Sequence, residues 1–294
     1  MNVSSSEMRI FMLFGVLFTF LEVTVTQFCE KNNDEAFSYR GSTNGPKMWK
    51  IFFTSCGGKQ QSPIRIYEDE VLRDRNLTKL RFKNYNIPIK QAEIVNNGHT
   101  VMITPEDDVR RGISVQGSAF DLEQLHFHWG SVDRPGSEHT INHIRHPLEV
   151  HLVHKDKENR TAVVGLLVKV QKEYNAAFIP IIQVLMGVMY KDKSTQLLSP
   201  LNLNNLLPEN PASFYRYIGS LTTPPCDEGV IWSILRKTTY IGRHQLDYFR
   251  RLYSVIKADK CSKCRLSENY RPSFPFLVKF FLLHSSIPMS FQRY

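Results

Sequence analysis

The chain has 294 residues, 42% of them hydrophobic and 12% aromatic, with Gly and Pro at 15 each. This composition excludes disorder, collagen and coiled coil, and it suffices for one sizeable core or two small ones. Lys and Arg number 37 against 28 Asp and Glu, for a formal charge of +9, yet nine basic and two acidic residues fall between Arg236 and Arg265, so much of the excess is local. Without an aromatic-interleaved basic motif, stretch 236–265 reads as a solvated helix face with at most weak affinity for anionic surfaces, and nucleic acid is not expected as a partner.

In chain order, Arg9 precedes an apolar run from Ile10 to Leu21, too short for a comfortable membrane span, and small residues follow through Thr24 and Thr26. Residues 1–26 read as a secretory signal peptide, which leaves 27–294 as a single secreted domain. In that oxidising compartment cysteines should pair, but the chain has 5, so one thiol is left over or intermolecular. A bridge between Cys56 and Cys226 would close a loop of roughly 170 residues, for which chain entropy gives about 5 kcal/mol as an upper figure. Cys261 and Cys264 form a C-x-x-C without a second such pair, a weak zinc motif; the pairing of Cys29 is open. Secretion licenses glycosylation at Asn76-Leu-Thr and Asn159-Arg-Thr, each expected on an exposed loop.

Strands are predicted at Asp121–Trp129, Leu148–His154, Ala162–Val170 and Val230–Leu235. Helices are predicted at Ala177–Tyr190, with Pro180 in the first turn, and at Gln245–Ile256, where Leu246, Phe249, Leu252 and Ile256 share a face. Near the end, Phe276, Val278, Phe280 and Leu282 alternate and read as a strand or an irregular tail. The segment from Phe274 to Leu283 contains Pro275 and Lys279 and does not read as an anchor.

Seven of the 10 histidines fall between Asp121 and His154. Side chains alternate along a strand, so Gln124, His126 and His128 share one face while Leu125, Phe127 and Trp129 share the other. In the next strand Glu149, His151 and Val153 share a face opposite Leu148, Val150 and Leu152. The turn-rich stretch Gly130 to Gly136 lets the second strand return antiparallel. Strand neighbours lie about 4.8 Å apart, so three imidazoles can converge on one zinc ion at about 2.0 to 2.1 Å, leaving a fourth tetrahedral position open. Gln124 and Glu149 each precede a ligand by two residues and are placed to accept from the imidazole N–H groups. His139 and His154 read as hydrogen-bonded core or rim, His143 and His146 as loop surface.

The runs Leu125-His-Phe-His-Trp-Gly, Gly136-Ser-Glu-His-Thr, Glu149-Val-His-Leu-Val-His and Ser220-Leu-Thr-Thr-Pro-Pro-Cys resemble, in order, the secreted branch of the alpha-class carbonic anhydrases. The likeness extends through Cys56-Gly-Gly-Lys-Gln-Gln-Ser-Pro and Asn96-Asn-Gly-His to Glu268-Asn-Tyr-Arg-Pro, about 235 residues from Tyr39 onward. It implies a mainly β single domain around a twisted, largely antiparallel ten-stranded sheet with a few peripheral helices. It also implies reversible hydration of carbon dioxide to bicarbonate and a proton, and sulfonamide inhibition. Zinc hydroxide is the implied nucleophile; its parent water having a pKa of about 7 is the known property of carbonic anhydrase itself, not a value deduced from this sequence.

Carried onto this chain, the resemblance implies His126, His128 and His151 as ligands. Thr222 would pass its proton to Glu138 while its backbone N–H helps hold the anion. Thr223, Val153, Val163, Leu221, Val230 and Trp232 would wall the substrate pocket. His99 would shuttle the proton, beside Asn97 and Tyr39 at the water-lined mouth. Ser62–Pro63 and Pro224–Pro225 match positions that are cis in the family. Met102 stands where the family often has a polar residue, and the tail 273–294 departs from the family pattern. The alternative is a catalytically silent binding module of the same fold; silent relatives typically lose a ligand histidine, and this chain keeps all three.

Overall fold

The computed structural model describes residues 36–72, 74, 77–259, 264–275 and 282–284. Their strands are β1 Arg65–Ile66, β2 Arg81–Lys83, β3 Ala92–Asn96, β4 Val101–Pro105, β5 Gly112–Val115, β6 Ser118–Trp129, β7 Thr140–Ile141, β8 Ile144–Arg145, β9 Leu148–Lys155, β10 Thr161–Gln171, β11 Lys193–Gln196, β12 Phe214–Ser220, β13 Glu228–Leu235, β14 Thr239–Gly242 and β15 Leu282–His284. The α-helices are short: α1 Trp49–Phe52, α2 Ile179–Leu185 and α3 Arg243–Phe249. The signal segment 1–26, Cys29, Asn76 and Cys261 lie outside the described residues.

A large sheet runs in the order β11-β3-β4-β6-β9-β10-β13-β12-β15, with β14 on β10 and β5 joining β2 to β6. Its pairs are antiparallel except β10 with β13 and with β14. It has 12 strands where ten were expected, because three-residue edge segments such as β2 and β15 extend it at the periphery. A separate three-stranded sheet is formed by β1, β7 and β8.

The four predicted strands between Asp121 and Leu235 all form, the first starting three residues early; the alternating run from Phe276 lies outside the described residues up to Leu282. The predicted helices are shorter than their periodicity. Residues Ala176–Phe178 form a 3-10 turn before α2, and Gly187 closes it by donating to the Val184 carbonyl. Beyond α3, the Tyr253 N–H pairs with Met189 and the Leu266 N–H with Leu252, so long-range bonds pull the chain out of the helix and leave Ile256 exposed.

The two sheet faces divide the labour. One packs Leu125, Phe127, Trp129, Leu148, Val150 and Leu152 against Phe178, Ile181, Leu246 and Phe249 in the main core. The other carries a smaller cluster of Val153, Val163, Tyr217, Val230 and Trp232. Cys56 and Cys226 are joined across a sequence separation of 170. Cys264 is also disulfide-bonded, so it is no free thiolate for zinc. Ser62–Pro63 and Pro224–Pro225 are cis, as is Arg134–Pro135. The basic stretch is partly neutralised: Arg236 pairs with Glu68, and Arg243 and Arg250 both pair with Asp133.

Candidate metal centre

β6 and β9 run antiparallel with His126 directly opposite His151. On the face turned from the main core, His128 Nε2 lies 3.1 Å from His151 Nδ1, and His151 Nδ1 lies 3.2 Å from His126 Nε2. One nitrogen from each ring falls within 4.8 Å of the others. Zn–N bonds of about 2.0 to 2.1 Å require tetrahedral edges of about 3.3 to 3.4 Å, so the spacing suits that ion after small adjustments.

The outer nitrogens decide what the inner ones can do. His126 Nδ1 lies 2.9 Å from Gln124 Oε1, His128 Nδ1 2.7 Å from the Asn269 carbonyl and His151 Nε2 2.7 Å from Glu149 Oε1. All three partners are acceptors, so each outer nitrogen carries the proton and each inner nitrogen presents a lone pair. Three converging lone pairs repel one another, and a cation resolves the repulsion. Burial, then the neighbouring His151 and His128, push the His126 pKa well below its usual value. Burial lowers that of His128 against the pull of Glu138, so both rings stay neutral at neutral pH.

Glu149 is fully buried, which alone would raise its pKa. The imidazoles of His139 and His151 more than offset that and hold the carboxyl well below the ordinary carboxylate range. Its Oε2 also accepts the Glu138 and His139 backbone N–H groups at 2.9 and 2.8 Å, while His139 Nδ1 meets Oε1 at 2.7 Å. The alternative donor set His139, Glu149 and His151 is therefore a closed hydrogen-bond network with its polar atoms consumed.

Glu138 Oε1 accepts the Arg271 N–H at 2.8 Å, whereas the buried Oε2 has no hydrogen-bond partner among the described residues and faces His128 Nε2 at 3.5 Å. Such an orphaned acceptor beside three lone pairs is a second sign that the centre is built around an electrophile. Thr222 is buried in the wall nearby, but no hydrogen bond joins its hydroxyl to Glu138 among the described residues.

A cavity of about 570 Å³ opens over His126, His151, Gln124 and Thr222; Val153, Val163, Leu221, Thr223, Val230 and Trp232 all line it. The apolar side chains share this lining with a polar and charged rim that includes Glu123, Lys155, Arg160, Asp227 and Glu228. At the β3–β4 turn, Asn97 Oδ1 accepts the His99 and Thr100 N–H groups at 2.9 and 2.8 Å. The His99 ring stacks on Phe37 at 4.1 Å, with Tyr39 edge-on at 6.3 Å. Burial, then the charge of Glu138, raise the Tyr39 pKa well above its ordinary value.

Three contributors escaped the sequence reading. Asn269 supplies its carbonyl to His128, its Oδ1 to the Trp129 N–H and its Nδ2 to the His99 and Phe127 carbonyls. Arg271 positions Glu138, and Phe37 braces His99. The run Glu268-Asn-Tyr-Arg-Pro was a signal, but it carries no strand or helix period. His146, read as loop surface, is buried: its N–H donates to Ser137 Oγ and its carbonyl accepts from the Ser137 N–H, folding the ring inward.

The family model described as eukaryotic-type carbonic anhydrase matches residues 44–278. The chain is 37% identical over 235 residues to putative carbonic anhydrase 3 of Caenorhabditis elegans, covering 78% of this chain and 89% of that protein. It is 33% identical over 255 residues to carbonic anhydrase 12 of Homo sapiens, covering 81% and 70%. It is also 33% identical over 278 residues to a protein of Homo sapiens called carbonic anhydrase-related protein, covering 87% and 95%.

Proposed function

Because the chain belongs to the eukaryotic-type carbonic anhydrase family, we propose that it is an active, zinc-dependent enzyme for the reversible hydration of carbon dioxide to bicarbonate and a proton. The observation that carries this reading is the convergence of three imidazole lone pairs whose tautomers are set by Gln124, Glu149 and the Asn269 carbonyl. His126, His128 and His151 would hold the ion. Zinc supplies a Lewis acid that ionises a water near neutral pH.

The rest belongs to the chain. Val153, Val163, Leu221, Val230 and Trp232 offer a small, linear, uncharged substrate an apolar berth. Thr222 orients the attacking oxygen by donating to Glu138, whose free Oε2 is available for that bond, and its N–H holds the product anion. Thr223 borders the same floor. His99 takes the released proton toward buffer, a task that suits an imidazole because such rings titrate near neutrality. The leader-like segment 1–26, the two sequons and the disulfide support a secretory route. Among the described residues no helix is long and apolar enough to cross a membrane.

Stopped-flow hydration by the purified full chain, with and without a zinc chelator, tests the proposal. Turnover that disappears with chelator and returns with stoichiometric zinc is expected; a zinc-loaded protein without turnover would establish the silent binding module instead. That second reading draws on the similarity to the carbonic anhydrase-related protein.

A further inference from the structure

We infer that Asn159 carries an N-linked glycan at the lip of the metal cavity and that this glycan filters ligands by size. The inference rests on the hydration reading and the secretory route above. Asn159 occupies the five-residue turn between β9 and β10, which Asp156 organises. Asp156 Oδ1 accepts the Glu158 and Arg160 N–H groups at 3.1 and 2.8 Å, and its Oδ2 accepts from Arg160 Nε at 2.6 Å. The Asp156 N–H donates to the Arg160 carbonyl and the Asn159 N–H to the Asp156 carbonyl, both at 3.1 Å.

This network leaves the Asn159 side chain exposed, with no hydrogen bond from its amide to any described residue. Its φ of 60° lies in the left-handed region that Asn tolerates well. The acceptor amide of Asn159-Arg-Thr is thus presented outward on a turn whose backbone is fixed. The same turn borders the metal site: Asn159, Arg160 and Thr161 line the cavity that contains His126 and His151.

Attachment is a group transfer from a lipid-diphosphate-linked oligosaccharide. A C–N bond forms between the anomeric carbon and Asn159 Nδ2, the C–O bond to the diphosphate breaks, and Nδ2 releases one proton. The first hexosamine ring is then tethered at the lip. Carbon dioxide and bicarbonate pass such a barrier, whereas a ligand whose tail leaves the cavity must compete with the sugar for the same space.

The full chain, secreted from eukaryotic cells, provides the test. Glycopeptide mass mapping reads occupancy at Asn159. Affinities are then measured for benzenesulfonamide and for a benzenesulfonamide extended by a biphenyl tail, on the glycoprotein, after native enzymatic deglycosylation, and on Asn159→Gln. Deglycosylation is expected to tighten the extended probe by about tenfold and to move the small one by less than about twofold. The enzymatic arm gives the answer even where the substitution impairs folding. An unmodified Asn159 in secreted protein, or an extended probe indifferent to deglycosylation while the small probe binds, overturns the inference. Failure of the small probe on every form overturns the zinc-site reading and the filter with it.

Discussion

Two regions build the candidate metal centre in different ways. β6 and β9 deliver His126, His128, His151, Gln124 and Glu149 by strand alternation, with an in-register pairing that fixes their mutual distances. The segment 264–275 has almost no regular structure, yet it supplies the Asn269 carbonyl to His128, the Arg271 N–H to Glu138 and the Leu266 carbonyl to Trp129 Nε1. Arg271 in turn is clamped by Gln61 Oε1 and the Ser62 and Cys56 carbonyls. A ligand set can therefore be repetitive in sequence while the groups that fix its tautomers come from anywhere in the chain.

The sharpest way to break the comparison is to remove a group that both regions share. His128→Ala deletes a β6 ligand and the partner of Asn269. Its metal affinity, read by competition with a chromophoric chelator, is expected to fall by well over 100-fold, beyond the usual cost of losing an outer acceptor, and hydration should drop to background.

β9 also provides a control within one strand. His154 points to the core face, where its Nε2 lies 2.6 Å from the Tyr85 hydroxyl, and burial lowers its pKa to about 4. The unfolded chain binds a proton near pH 6.5 that the folded chain refuses. Stability from this neutral His is therefore complete above about pH 6.5 and is lost as pH falls toward 4, by on the order of 3 kcal/mol. Urea unfolding of chelated protein at pH 7 and pH 5 checks this: His154→Asn should flatten the difference, and an unchanged slope would reject the assignment.

The two regions can then be set against each other. Glu149→Gln weakens the β9 acceptor, and Asn269→Ala removes the side-chain bonds that tie the segment 264–275 to the Trp129 N–H and to the Phe127 and His99 carbonyls. Each is expected to lower zinc affinity by roughly 10- to 100-fold. Only Asn269→Ala should also disturb proton export, because its Nδ2 holds the His99 carbonyl at 2.9 Å. His99→Ala isolates that step: turnover in weak buffer should fall by about tenfold or more and be restored by imidazole, while zinc affinity stays constant.

What was legible in the sequence followed from periodicity. His-x-His and Glu-x-His spacings brought together the three converging imidazoles and two of their acceptors, and alternating apolar residues located the strands under them. What escaped was tertiary. The ends of α2 and α3 were set by Gly187 and by long-range pairing at Tyr253 and Leu266, not by the apolar stripe. Asn269 meets His128, and Arg271 meets Glu138, through a backbone atom that any residue possesses, while their side chains anchor the segment elsewhere, so identity alone does not advertise their roles. His146 looks like loop surface until Ser137 is seen folded onto it.

The finest probe is Gly165, directly opposite His151 on β10. A Cβ there would lie 2.7 Å from Ile234 Cδ1 and 3.2 Å from Glu149 Oε1. The Ile234 tip can rotate away. Glu149 cannot, because His139, His151 and two backbone N–H groups hold its carboxylate. Gly165→Ala should therefore push the acceptor of His151 by a few tenths of an ångström, lengthening their 2.7 Å contact. Zinc affinity is expected to fall a few-fold, below the roughly tenfold that marks loss of an outer partner. An unchanged affinity with a lowered melting temperature would mean that Ile234 took up the strain, leaving the strand-borne half of the site rigid enough to keep its geometry.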